Sequence, residues 1–221
     1  MRPTVILKVA LTLDGQMAAA DGSSQWISSP EARQDAHRLR ARVDAVMVGA
    51  GTLRADNPRL TVRLGPQETH PVGSPRPVIV AGTRPLPTES ILFGRNPIVL
   101  APADPDISGQ IVISPNRTGD KVDLVAGLKH LAELGIRNLL VEGGSALFGS
   151  LLEAGLVDRG VIYYGPLLAG GVGKPFSDKA WTTLADAHPV AIESVERLGE
   201  SIKLAFSVPS PQGSEPGRDT R

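Results

Sequence analysis

The alternation of apolar and polar positions is sharpest over residues 5–13. Leu7, Val9, Leu11 and Leu13 fall on one side; Lys8, Ala10, Thr12 and Asp14 fall on the other. A period of two predicts a strand with one apolar and one partly polar face. Such a polar face fits either an interior strand bordering a ligand or an edge strand turned to solvent. Asp14-Gly15 is a turn signal that ends it. Short apolar runs predict buried strands at 45–48, 77–81, 97–101, 110–114 and 139–141, and 156–164 reads as a longer one. Between them the period becomes helical. Ser28 or Ser29 followed by Pro30 predicts a capped helix running to about Arg42, with Ala32, Ala36, Leu39 and Val43 as its apolar stripe. Arg33, His37 and Arg40 lie near another line of the same helix. Residues 121–134 predict a helix striped by Leu124, Leu128, Leu131 and Leu134, stopped by Gly135. Residues 190–198 and 201–208 predict a closing hairpin about Gly199-Glu200.

Alternating strands and helices ending in a hairpin predict one α/β domain over 1–208: a mostly parallel sheet, helices on both faces and an antiparallel edge. Residues 65–77 read as a surface loop, 165–175 as a mobile glycine loop and 209–221 as a disordered tail.

Two strand, glycine turn, helix units punctuate this order. In Gly49-Ala-Gly-Thr52 the position of a third fingerprint glycine holds Arg54, and a lone pair of glycines is weak evidence of a dinucleotide site. Asn57-Pro58 then breaks the helix, and 60–63 reads as a short extended piece. In Val141-Glu-Gly-Gly-Ser145 the glycines precede a helix reaching about Ala154. Free N–H groups and the dipole at such a helix start favour an anion, with Glu142 placed beside it. The other reading is a tight packing turn with Glu142 solvated.

Composition narrows the function classes. The 221 residues carry a formal net charge of +0, so no global field draws the chain to nucleic acid or to a membrane surface. There is no cysteine, and the four histidines lack ligand spacing, so no metal is expected. The N-terminus lacks a signal-peptide apolar segment, and a cytoplasmic protein is the default.

Four motifs occur in order: Lys8-Val-Ala-Leu-Thr-Leu-Asp-Gly15, Ser24-Gln-Trp-Ile27, the stretch 51–63, and Val141-Glu-Gly-Gly144 with Leu152-Glu-Ala-Gly-Leu-Val-Asp158. Together, over about residues 4–208, they resemble the reductase domain of the bacterial bifunctional riboflavin-biosynthesis deaminase/reductase, of the dihydrofolate-reductase-like fold. The resemblance implies NADPH-dependent reduction of the ribosyl C1′ of 5-amino-6-(5-phosphoribosylamino)uracil to the ribitylamino product. It implies substrate contacts at Ser24, Arg40, the Leu60 main chain, Arg63 and Glu142, with Arg40 and Arg63 on the phosphate. It implies cofactor contacts at Ala10, Trp26, Thr52 and Asp56, and along Gly143, Gly144, Ser145, Ala146, Leu147, Phe148, Gly149 and Ser150 for the pyrophosphate. Near Gly82 the family often carries a serine; here Thr83 or Arg84 stands in for it beside the 2′-phosphate. Glu142 and Lys8 are the catalytic candidates, Lys8 for orienting the ribose hydroxyls or moving a proton. The zinc deaminase of the bifunctional members, with its Pro-Cys-x-x-Cys signature, has no counterpart in this cysteine-free chain, so a stand-alone reductase is expected. A homodimer formed through the closing hairpin is expected as well. Rival readings are the same fold acting on the diaminopyrimidine analogue, dihydrofolate or another heterocycle, and a non-catalytic nucleotide-binding module. Arg40 and Arg63 weigh against dihydrofolate; Glu142 and Asp56 weigh against pure binding.

Overall fold

Val5, Leu7, Val9 and Leu11 are buried, which makes β1 (Thr4–Leu11) a core strand. The computed structural model describes residues 1–65, 67–68, 73–102, 111–113, 121–171, 173–179 and 181–209. Parts of the predicted 65–77 loop and 110–114 strand, His70, and the expected tail from residue 210 on lie outside them. β1 sits between β7 (Asn138–Val141) and β8 (Arg159–Tyr164), parallel to both. The edge-strand reading of its polar face is thereby excluded. The strand stops two residues early: Leu13 is 54% exposed. Its amide instead donates to the Leu167 carbonyl at 2.8 Å.

Beyond β7 follow β3 (Ala45–Gly49), β4 (Arg76–Val80), β5 (Ile98–Leu100) and β6 (Ile111–Ile113), all parallel. On the other side β11 (Ser201–Ser207) pairs antiparallel with β8, and β10 (Ala191–Leu198) closes the edge. The sheet has nine strands among the described residues, in the order β10-β11-β8-β1-β7-β3-β4-β5-β6. The expected mostly parallel sheet with an antiparallel C-terminal edge is the observed one.

The central strands read as unbroken apolar runs because helices cover both faces. On one face Leu139, Val141 and Met47 pack with α3 (Leu124–Glu133) and α4 (Ser145–Glu153). On the other, Leu140, Val46 and Val48 pack with Leu53 of α2 (Ala50–Asp56). Val161 and Tyr163 pack with Ala32 and Ala36 of α1 (Pro30–Arg40). The Ser29 side chain caps α1 by accepting from the Ala32 amide, as predicted for that pair of serines. It also donates to the Leu198 carbonyl at 2.7 Å, while the Ser29 amide donates to the buried Ser201 hydroxyl at 2.9 Å. The start of α1 is thus fastened to the closing hairpin.

Several boundaries move for local reasons. α1 ends at Arg40, not Arg42, and Val43 is buried beyond it. α3 starts at Leu124 because Asp123 caps it, and Leu134 beyond its end is half-exposed. β8 starts at Arg159, not 156, because the Asp158 carboxylate accepts from Arg2 and from the Val5 amide. Residues 60–63 form no strand; Leu60 is buried with φ +50. The 165–175 loop is tied down: Asp14 accepts from the Ala169 and Gly170 amides, and β9 (Lys174–Pro175) pairs with β2 (Gln16–Ala18). No helix is long and apolar enough to cross a membrane among the described residues.

Gly165 sits where two loops touch, and a Cβ there would lie 1.6 Å from the Ile27 carbonyl oxygen. That backbone atom has no rotamer with which to retreat. Gly165→Ala is expected to cost about 1–3 kcal/mol, read as a lower urea midpoint at unchanged m-value.

Candidate active site

The parallel strands β3 and β7 end side by side, and the crevice beyond such carboxyl ends is where α/β sheets take ligands. Two backbone bonds continue the ladder past the strand ends: the Glu142 amide donates to the Met47 carbonyl at 3.0 Å, and the Gly49 amide to the Gly143 carbonyl at 2.9 Å. Gly143 has φ +123, which only glycine adopts easily, and the Gly143-Gly144 peptide is cis. Gly144 precedes α4 and offers no side chain to cap it. The Leu147 and Phe148 amides donate to the Gly144 carbonyl, and the Ser145 and Ala146 amides ahead of them remain for an outside acceptor.

A cleft of about 960 Å³ opens there. Of the predicted cofactor residues, Thr52, Asp56, Gly82, Gly144, Ser145, Ala146, Leu147 and Ser150 line it, and so do Arg84 and the predicted substrate residue Ser24. Arg54, Arg84, Lys121, Lys174 and Lys179 supply cationic groups around its walls. The donor set suits a dinucleotide with two phosphate positions: uncapped helix amides for one, arginine and lysine for another. Ser145 also fastens the β2–β9 flap, donating to the Pro175 carbonyl at 2.6 Å.

Other predicted cofactor residues lie elsewhere. Phe148 is fully buried and stacks on Phe176 at 5.2 Å. Gly149 is buried beneath residues 177–179; a Cβ there would fall 2.7 Å from Ser177, Asp178 and Lys179 atoms. Phe148 points into the core because each helix residue turns about 100° from the last, whereas Gly149, in line with the cleft residues Ser145 and Glu153, is covered by residues 177–179. Gly143 is buried within the turn, and Thr83 is exposed beside the cleft residues Gly82 and Arg84. Ala10 packs toward the Ala32–Tyr163 cluster. Trp26 is 70% exposed at φ +67, as its polar loop implies, and holds the Arg33 guanidinium 4.5 Å from its ring centroid.

Next to the cleft is a buried charge group. Glu142 shares the side of Leu140, so its carboxylate faces α1. Arg40, in the last turn of α1, grips it in a fork: Nε to Oε1 at 2.5 Å and Nη2 to Oε2 at 2.7 Å. Arg40 Nη1 donates to the Thr61 carbonyl at 3.1 Å. Three of the five N–H groups of Arg40, which the resemblance puts on the substrate phosphate, are thus committed within the protein. Lys8 approaches Glu142 Oε2 at 3.9 Å and lies 5.9 Å from the Tyr163 ring centroid. Burial alone would raise the Glu142 carboxyl, but Arg40 and then Lys8 outweigh it and hold it down at about 2. For Lys8 burial wins: it pushes the ammonium below the usual lysine range, against Glu142 and with the help of Arg40. Arg63 is exposed at the end of the loop that carries Leu60.

Two partnerships carry no sequence signal of their own. The Tyr163 hydroxyl donates to Asp35 Oδ2 at 2.7 Å, and Lys203 Nζ lies 2.9 Å from the same oxygen. Burial and then that carboxylate push the Tyr163 hydroxyl up. His37 lies buried between α1 and Arg63, whose amide donates to its Nδ1 at 3.2 Å. Burial, then Arg40 and Arg63, lower its pKa to about 4. The line of Arg33, His37 and Arg40 was legible from helical spacing, but a role for His37 was not.

The family model described as RibD C-terminal domain matches residues 3–204. Riboflavin biosynthesis protein RibD of Chlamydia pneumoniae is 34% identical over 98% of this chain and 60% of its own length. The chain thus spans about three-fifths of that curated relative. A Thermotoga maritima structure, described as a diaminohydroxyphosphoribosylaminopyrimidine deaminase/5-amino-6-(5-phosphoribosylamino)uracil reductase, superposes with a TM-score of 0.79 at 27% identity, over 94% of this chain and 57% of that one. The yeast Riboflavin Biosynthesis Reductase Rib7 superposes at 0.70 with 25% identity, over 94% and 90%.

The two depressed pKa values set a stability profile. An unfolded imidazole takes up a proton below its ordinary 6.5 and an unfolded glutamate below 4.5; the folded groups wait until about 4 and about 2. Stability from both is therefore complete above pH 6.5 and falls with acidification, through His37 between 6.5 and 4 and through Glu142 between 4.5 and 2. In urea titrations across this range, His37→Gln is expected to flatten the upper part of the decline and Glu142→Gln the lower.

Proposed function

The chain belongs to the riboflavin-biosynthesis pyrimidine reductases that share the RibD C-terminal domain, and we propose that it reduces the ribosyl C1′ of 5-amino-6-(5-phosphoribosylamino)uracil with NADPH. The observation that carries this reading is the meeting of two sites at one strand end. Gly144 lines a dinucleotide-sized cleft, and Glu142, two residues earlier, belongs to the buried Lys8–Glu142–Arg40 group. A hydride donor and an acceptor brought to that junction lie side by side. The description of the Thermotoga relative supports the substrate, and the name of the yeast relative supports a reductase of riboflavin biosynthesis.

In its ring-opened form the substrate is an imine, which accepts hydride at carbon once its nitrogen is protonated. NADPH supplies the hydride when bound. The amides at the start of α4, beside Ser145 and Ser150, would hold the pyrophosphate, and Arg54, Arg84 and Lys121 suit the 2′-phosphate. Glu142, kept ionised by Arg40, stabilises the positive charge at the imine nitrogen. Lys8 has a lowered pKa, so it releases a proton to that nitrogen more readily than an exposed lysine. Arg63 meets the substrate phosphate, aided by the uncommitted N–H groups of Arg40, with Ser24 and the turn at Leu60 beside them. Neither nucleic acid nor membrane takes part, and the enzyme works in the cytoplasm as a homodimer through the β10–β11 hairpin, where Ile192, Val195 and Ile202 are exposed.

The test follows oxidation of NADPH and NADH with the aminouracil, the diaminopyrimidine analogue and dihydrofolate side by side. NADPH with the aminouracil should turn over fastest; turnover of dihydrofolate alone overturns the proposal. Lys8→Ala is expected to lower kcat by about 10²–10⁴, with little change in the Kd for NADPH; an unchanged kcat removes Lys8 from the chemistry.

A further inference from the structure

His37 lies one turn before Arg40 on α1 and is 8% exposed. Its Nδ1 accepts from the Arg63 amide at 3.2 Å. A backbone amide only donates, so Nδ1 carries no proton. The neutral ring is then the Nε2–H tautomer. That nitrogen lies 3.3 Å from Arg63 Nη2, which is itself a donor. Two donors thus face one another at hydrogen-bonding distance, and neither satisfies the other.

The neighbouring acceptors are already engaged. Thr61, whose carbonyl favours the protonated ring, accepts from Arg40 Nη1 at 3.1 Å. Both Glu142 oxygens accept from Arg40. Gln34 holds the other side of Arg63, donating to its carbonyl at 3.4 Å. Arg63 is therefore fixed at its amide and its carbonyl while its guanidinium stays exposed. One acceptor from outside the protein would serve both of these donors at once.

We propose that His37 Nε2–H and Arg63 Nη2–H together grip one non-bridging oxygen of the substrate phosphate, which makes His37 a substrate-binding residue. This rests on the reading of a phosphorylated substrate given above. The imidazole adds a directed hydrogen bond without adding charge beside Arg40 and Arg63. It also sets the backbone of Arg63 through its other nitrogen, so one side chain both contacts the anion and aims the arginine that contacts it.

Imidazole proton–nitrogen correlation spectra of the full chain, with ribose 5-phosphate and inorganic phosphate as probes, test this without any variant. The free protein should show Nε2 protonated and Nδ1 bare, and ribose 5-phosphate should shift the His37 Nε2–H signal. His37→Leu should weaken ribose 5-phosphate binding about tenfold, or about 1.4 kcal/mol, and the loss in turnover should fall on KM more than on kcat. His37→Gln, which restores an N–H donor, should recover most of it. NADPH affinity and the melting temperature of the Leu variant report whether it has folded. The inference is overturned by a protonated Nδ1, by an unmoved His37 signal at saturating ribose 5-phosphate, by no binding of either probe, or by undiminished affinity in a folded Leu variant. If the probes bind as expected while the aminouracil is not reduced, the substrate assignment fails and the phosphate grip stands.

Discussion

The fork between Arg40 and Glu142 organises the site. It joins the last turn of α1 to the end of β7 across 102 positions of chain. Buried charges are costly unless paired with good geometry, and removing one partner typically costs about 3–5 kcal/mol because the other is stranded. The pair therefore requires α1 to lie on one face of the sheet at one height. The other end of that helix is set independently by Ser29, bonded to Leu198 and Ser201 of the hairpin. With both ends fixed, every side chain of α1 that faces the site is fixed too, His37 and Asp35 included.

The same pair separates two kinds of electrostatics. On the cleft side, helix amides and peripheral cations offer fixed partial and full positive charge to a ligand. On the α1 side, positive charge is mostly spent on an internal carboxylate, and Lys8 is left above the Tyr163 ring in a setting that disfavours its charged form. The glycine turn at 143–144 is the partition. It lets the backbone pass from a residue that faces α1 to a helix that faces the cleft within three positions.

Much of this was legible in the chain and some was not, for identifiable reasons. The alternation at residues 5–13 revealed a strand with one apolar and one polar face, because β1 packs Val5, Leu7, Val9 and Leu11 on one side only. The glycine turn at 143–144 stood out, and Gly143 at φ +123 adopts a backbone geometry that favours that residue. The β2–β9 pair was missed: strands of three and two residues are too short to show a period. Phe148 lies in the core because a helix alternates what it shows and what it buries, a distinction that a motif read as one continuous contact does not make. The Arg40–Glu142 pair was invisible because residue types far apart in sequence say nothing of their register until the sheet order is known.

That sheet order has a consequence for how the protein comes into being. β1 precedes the other strands of the sheet, yet its two neighbours are β7 and β8, paired from Thr4↔Asn138 through Leu11↔Tyr164. An apolar strand destined for the centre thus waits without either partner until β7 and β8 have been made, and the connections that must close are long. Non-local pairing of this kind slows folding and leaves strand edges open to other chains. On the ribosome the segment with the strongest core pattern is also the one that most needs shelter.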